Sequence, residues 1–178
     1  GLVELNRETL PKVLVNRRYH AQLGDTGMHE GDKAFVSDRI NAANGLGKAL
    51  DQRAKTNRRG STELVRQQDS FLAHGVRHLR PLNLRDIADV IDMHESTVSR
   101  VTANKYMATP RGIYPMKYFF TSAIASTSGG AAHSAESVRD CIRELVANEQ
   151  TNAILSDDKI VDLLRIQGMD IARRTIAK

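Results

Sequence analysis

The chain has no Trp, four Tyr and four Phe among 178 residues, and a single cysteine. So few aromatics argue against one large core and favour one or two small domains. With Cys141 alone, neither a disulfide framework nor a four-thiolate zinc site can form within the chain, which suits a reducing cytosol. Cys141 stands beside Ile142 in a helical stripe, where packing is its expected role. No apolar run approaches membrane-spanning length and no signal peptide is present, so no membrane partner is expected. Charge of negative sign is in deficit: 26 Lys and Arg against 21 Asp and Glu leave a net charge of +5. That balance suits a polyanionic partner, although basic soluble proteins are common.

Catalytic patterns are incomplete. His94-Glu95 opens the zinc-protease pattern H-E-x-x-H, but Val98 stands where the second His must be. Gly45-Leu46-Gly47-Lys48 approaches a phosphate loop, yet Ala49 replaces the Ser or Thr and Ala42 the first Gly. His74 and His78 are four apart and share a helix face, but no nearby carboxylate or third ligand joins them. No enzyme, cofactor or metal site is expected.

What the chain does contain is a helix-turn-helix pattern over residues 84–106. Ile87, Val90 and Ile91 repeat at helical spacing, and Ala88 is small where two helices must approach. Asp92 takes the turn, tolerating a left-handed backbone better than most residues. Val98 and Val101 are the buried stripe of a second helix that Glu95 opens at the positive end of its dipole. Ser96, Thr97, Ser99 and Arg100 fall on its outer face, with Asn104, Lys105 and Tyr106 at its end. Hydroxyls and Arg reach phosphates and base edges, and Arg can fork onto guanine. Spacing alone leaves an ordinary helical hairpin with a solvated face as an equal alternative.

The rest reads as helices and breaks. Leu10, Val13 and Leu14 suggest a short helix, and Gly24 through Gly31 a loop. Ala34–Ala54 and Thr62–Leu79 look helical, with Leu50, Leu64 and Phe71 in a stripe at seven-residue spacing that Asn57 interrupts. Thr56-Asn57-Arg58-Arg59-Gly60-Ser61 is polar throughout, and a helical Gly costs about 1 kcal/mol relative to Ala. A kink, fraying or an unpacked face is expected there. Arg53, Lys55, Arg58 and Arg59 read as a solvated charge run. Pro81 precedes the helix-turn-helix; Pro110, Gly112 and Pro115 break the chain after it, and Pro115 should delay a helix within Met116–Ile124. Ser126–Gly130 is expected to be a flexible linker.

Three helices follow. Ser134 can cap the first, which buries Val138, Ile142, Leu145 and Val146. Ser156 can cap the second, with Asp157 and Asp158 in its first turn, Ile160, Leu163 and Leu164 inward, and Gly168 at its end. The third begins near Ile171. Arg173-Arg174-Thr175-Ile176-Ala177-Lys178 can be laid against Glu95-Ser96-Thr97-Val98-Ser99-Arg100, a six-residue hint of a second helix-turn-helix.

Met93 to Thr102, then Asn104 to Met107 and Thr109-Pro110-Arg111-Gly112-Ile113, resemble the bacterial sigma-54 (RpoN-type) factors. Lys117 to Phe120 continues the likeness, and Ile171 to Lys178 is similar to the family's RpoN box. Val3 to Asn6, Thr9 to Pro11 and Val15 to Arg17 resemble the tail of its core-polymerase-binding region. The resemblance implies an all-α architecture: residues 1–45 ending the polymerase-binding region, 46–80 a long helix, 81–125 the helix-turn-helix unit, 126–133 a linker and 134–178 a truncated three-helix domain. It implies a −12 contact by Arg100, with Ser96, Thr97, Ser99 and Lys105 beside it. At the −24 element it implies Arg173, Arg174, Thr175 and Lys178. Promoter DNA, core RNA polymerase and an ATP-hydrolysing activator are the implied partners, in the bacterial cytoplasm at the nucleoid. The chain starts without Met and stops inside the RpoN box, so it reads as part of a longer protein. It holds no counterpart of the Gln-rich region through which the family's activator acts, and is expected to bind promoter DNA without initiating transcription. A docking module with only non-specific DNA affinity, and a His74–His78 metalloenzyme, are the competing readings.

Overall fold

The computed structural model describes residues 2–6, 8–9, 11, 13, 15–16, 18, 21, 29–127, 129–149 and 154–176. Leu10, Leu14, Arg17, most of the Gly24–Gly31 segment, Ser128, Ala177 and Lys178 lie outside the described residues. Two compact units divide the chain, residues 2–59 and residues 60–178.

Helix α1, Glu30–Gln67, opens with Glu30 and Asp32 and closes with Arg66, charges that suit its dipole at each end. Helical backbone continues through residues 56–61, so the expected fraying is absent. The reason is packing. Gly60 is buried against Val101, whose Cγ1 would lie 3.6 Å from an added Cβ, and the Ser61 hydroxyl lies 4.0 Å from Met116 Sδ. Thr56 and Asn57 are buried as well, and the Thr56 hydroxyl donates to the Gln52 carbonyl at 2.9 Å. Small side chains here admit close neighbours; they do not weaken the helix. The second expected helix, Thr62–Leu79, is shorter and broken: α1 ends at Gln67, α2 spans Asp69–His74, and Val76–His78 is a 3-10 turn.

Helices α3 (Leu84–Ile91) and α4 (Glu95–Thr102) follow, then strands β1 (Tyr106–Thr109) and β2 (Gly112–Pro115). The strands pair antiparallel, with Met107 opposite Tyr114. A second pair joins β3 (Ala123–Ile124) to β4 (His133–Ser134). The protein is thus mostly helical and not strictly all-α. Pro and Gly mark the turn of the first hairpin, not merely a break between helices. The helix expected within Met116–Ile124 is one 3-10 turn, Met116–Phe119, followed by β3.

Residues 60–178 hold two cores. In the first, Phe71 is completely buried and meets Tyr114 and Phe119 edge-on at 5.3 and 5.4 Å, with Leu64, Ile87, Ala88, Ile91, Val98 and Met116 around them. Val90, expected in the buried stripe, is 53% exposed, because the inward face follows Ile87, Ala88 and Ile91. The second core joins helices α5 (Ala135–Ala147) and α6 (Asp157–Ile166) through Val138, Cys141, Ile160, Leu164, Met169 and Ile171. Ile142 and Leu145 pack at its edge, Leu163 is half-buried, and Val146 points outward. Burial raises the Cys141 thiol above its ordinary pKa, which leaves it a packing residue.

The expected linker proves to be a loop. Residues 125–132 connect β3 to β4, Ala135 N–H donates to Ser122 O at 3.0 Å, and Thr127 N–H donates to Asp170 O at 3.0 Å.

Candidate nucleic-acid interface

The first helix-turn-helix is built from local bonds that leave one face free for a ligand. Asn83 N–H donates to the Asp86 carboxylate at 2.8 Å, fixing the start of α3. Asp92 is left-handed at φ 53 and ψ 57, and Met93 N–H bonds back to Ala88 O at 3.0 Å. This is the backbone reversal that ends one helix and aims the next. His94, which the sequence offered only as half of a failed metal motif, caps α4. Its ring nitrogen Nδ1 accepts from Ser96 N–H at 3.2 Å and lies 2.9 Å from the Ser96 hydroxyl. The incomplete Glu95 pattern concealed that role, since His is an uncommon cap.

Val98, Val101 and Thr102 face inward from α4, and the Thr102 hydroxyl donates to Val98 O at 3.0 Å. Ser96 and Arg100 are exposed, while Thr97 and Ser99 are half-buried at the edge of the same face. Lys105 is half-buried and its ammonium donates to Arg100 O at 3.3 Å, so it closes the C-terminal end of α4. Asn104 turns the chain at φ 53 into the β1–β2 hairpin, a wing beside the helix-turn-helix.

Arg111 stands at the tip of that wing. Its Nε donates to Leu72 O at 3.0 Å and a terminal guanidinium nitrogen donates to Ala73 O, gathering free carbonyls at the end of α2. Gly75, at φ 97, lies under the guanidinium; an added Cβ would come within 3.3 Å of Nη1. The signal for the hairpin was legible as Pro110-Arg111-Gly112 between two short β-prone runs.

In the second core, the Ser134 and Ser156 hydroxyls accept from Ser137 and Lys159 N–H at 3.0 and 3.3 Å, so both expected caps are present. Gly168, at φ 84, ends α6 with two reversed bonds, Gly168 N–H to Arg165 O and Met169 N–H to Leu164 O. Helix α7, Arg173–Ile176, follows. The six-residue likeness has a backbone counterpart: Thr175 N–H donates to Ala172 O at 2.9 Å, as Thr97 N–H does to His94 O at 2.8 Å. Arg173 and Arg174 are exposed, and Arg173 is ion-paired to Asp158 at 3.2 Å. Thr175 is half-buried, and Lys178 lies outside the described residues.

Two exposed arginine-bearing helix starts or faces, each following a left-handed turn, are what the fold presents. A family model described as "Sigma-54, DNA binding domain" matches residues 33–178. The chain belongs to the sigma-54 family. The matched part is the family's DNA-binding domain. The chain is 60% identical to RNA polymerase sigma-54 factor 2 of Bradyrhizobium diazoefficiens, across 99% of its own length and 33% of that protein. With the RNA polymerase sigma-54 factor of Caulobacter vibrioides it shares 59% identity, over 99% of the chain and 36% of the relative. The chain therefore spans about a third of the length of these curated relatives. Among solved structures, the crystal structure of Aquifex aeolicus sigmaN bound to promoter DNA is similar, with a TM-score of 0.59 and 29% identity, over 98% of this chain and 51% of that one.

His74 and His78 lie ring to ring at 5.1 Å on exposed positions, and no group of three metal-ligating side chains occurs among the described residues. No helix of the described residues is long and apolar enough to cross a membrane.

Proposed function

We propose that this chain supplies the promoter-reading part of a sigma-54 transcription initiation factor, using two helical readers on one duplex. Arg100 reads the −12 element from α4, with Ser96, Thr97 and Ser99 positioning the helix on the backbone and Lys105 holding its end. Arg173 and Arg174 enter the major groove at the −24 element, assisted by Thr175 and Lys178. The observation that carries this reading is the exposure of all three guanidinium-bearing residues on helices whose opposite faces are packed. Arginine forks onto guanine O6 and N7, and each such pair contributes about 1–3 kcal/mol of discrimination. The Aquifex aeolicus relative bound to promoter DNA supports the same reading.

Residues 1–45 would then end a region that docks on core RNA polymerase, residues 46–80 would form the long-helix segment, and residues 81–125 and 134–178 the two reading units. Conversion to an open complex would be driven by an ATP-hydrolysing activator acting through other parts of the full-length factor, in the bacterial cytoplasm at the nucleoid.

The test is affinity for a promoter duplex in which the −24 guanines are replaced. The proposal expects a loss of about tenfold or more per guanine–arginine pair removed. Unchanged affinity would remove Arg173 and Arg174 from the reading. Binding that depends on salt but not on sequence would instead favour a docking module with non-specific DNA affinity.

A further inference from the structure

Helix α7, Arg173–Ile176, is one turn long, too short for its own bonds to hold it, so its flanks set its orientation. Met169 and Ile171, just ahead of it, are buried in the second core, and Ile176 packs at the core's edge. Asp170 stands between the two buried residues and ties down two other segments. Its carboxylate accepts from Arg165 Nε, in the last turn of α6, at 3.3 Å. Its carbonyl accepts from Thr127 N–H, in the β3–β4 loop, at 3.0 Å, with the Thr127 hydroxyl at 3.5 Å. Three stretches of chain therefore meet just ahead of Arg173. The Asp170 side chain is 21% exposed, whereas those of Asp158 and Asp162 are 65% and 62% exposed, so Asp170 alone of the three is held in place.

Charge by itself gives Asp170 the wrong sign for a surface that meets DNA. A carboxylate beside guanidiniums that approach a polyanion repels phosphate, and on electrostatics alone its removal strengthens binding. Geometry gives it a use. An arginine forks onto guanine only when its plane is aligned with the base edge, and such alignment needs support within about 0.5 Å from neighbouring residues.

Resting on the promoter reading above, we propose that Asp170 is a positioning residue of the −24 reader. Through Arg165 on one side and Thr127 on the other, it sets the angle at which α7 presents Arg173 and Arg174. It acts through these partners and not by touching DNA.

The experiment measures affinity of the full chain for three duplexes: native, with the −24 guanines replaced, and with the −12 element replaced. Asp170→Asn keeps an oxygen that accepts from Arg165 Nε, and Asp170→Ala does not, while both remove one negative charge. The Asn variant is expected to keep the −24 discrimination of the unmodified chain and to bind every duplex somewhat more tightly. The Ala variant should lose about fivefold or more of that discrimination, with −12 discrimination unchanged. Thr127→Pro, which removes the N–H donor, should show the same selective loss. Circular dichroism establishes folding, and Thr127→Pro carries the test if Asp170→Ala unfolds. Tighter binding to all three duplexes in the Ala and Asn variants alike would overturn the inference and leave the promoter reading in place. So would loss of −12 and −24 discrimination together in the Ala or Pro variant. An unmodified chain indifferent to the −24 guanines would overturn the promoter reading, and the inference with it.

Discussion

The two proposed reading units reach similar turn geometry from different materials. All aromatic residues of residues 60–178 lie between Phe71 and Phe120, and the second core is wholly aliphatic apart from the Cys141 and Met169 sulfurs. The first reader is braced on several sides: Gly60 of α1 behind Val101, a wing whose Arg111 grips the end of α2, and Lys105 across the end of the helix. In the second, Ile176 packs on the core and Arg173 is tied to Asp158 at the surface. Similar backbone turns, one left-handed residue and one N-cap-like bond, therefore do not require similar cores. The surrounding packing sets how firmly each reader is presented.

The sharpest way to break the comparison is to empty one core at a time. Phe71→Ala should destabilise the first unit by about 3–5 kcal/mol, and Leu164→Ala the second by about 2–5 kcal/mol. Thermal unfolding followed in each variant should show the Phe71 change weakening −12 discrimination first and the Leu164 change weakening −24 discrimination first. A single shared loss would mean that the two bodies unfold as one.

At the next level, Arg100→Ala should reduce discrimination at −12 by about 1–3 kcal/mol while affecting affinity for scrambled DNA little. Equal losses on both duplexes, read by competition binding, would make Arg100 a phosphate contact.

Much of the helix-turn-helix was legible because its signals are local. The Asp92 turn, the Val98–Val101 stripe and the Ser134 and Ser156 caps each depend on residues within a turn of one another. What escaped was set by distant partners. The 56–61 run reads as a helix breaker until Val101 and Met116 close over Gly60 and Ser61. Ser126–Gly130 reads as a tether until Ala123–Ile124 pairs with His133–Ser134 on its far side. Lys105 resembles any other exposed base in sequence, and only the fold brings its ammonium to the Arg100 carbonyl.

A smaller effect concerns alkaline pH. Burial, with Glu136, Tyr114 and Asp140 nearby, pushes the Tyr118 phenol up to about 12. Its neutral form is favoured in the folded protein, so its contribution is complete below the unfolded phenol value of about 10. The contribution is lost as pH rises from there to about 12. Tyr118→Phe should flatten the decline in that window, as measured by denaturant midpoints across pH; an unaltered decline would assign it to other groups.

The smallest expected change separates the two readers most delicately. Asp158 lies 3.2 Å from Arg173, and both side chains are largely exposed, so the pair contributes on the order of 0–1 kcal/mol. Asp158→Asn should release Arg173 and remove a charge that repels phosphate. Affinity for the −24 element should rise a few-fold at low salt, with little change at high salt. An equal rise on duplexes lacking the −24 guanines would reduce Arg173 to a backbone contact.

The most direct measurement is a hydroxyl-radical footprint of the chain on a duplex carrying both elements. Two readers held on one molecule predict two protected tracts about one helical turn apart on the same face of the DNA, the upstream one lost in an Arg173→Ala, Arg174→Ala double variant and the downstream one retained. A single continuous tract, or loss of both tracts together in that variant, would contradict the account.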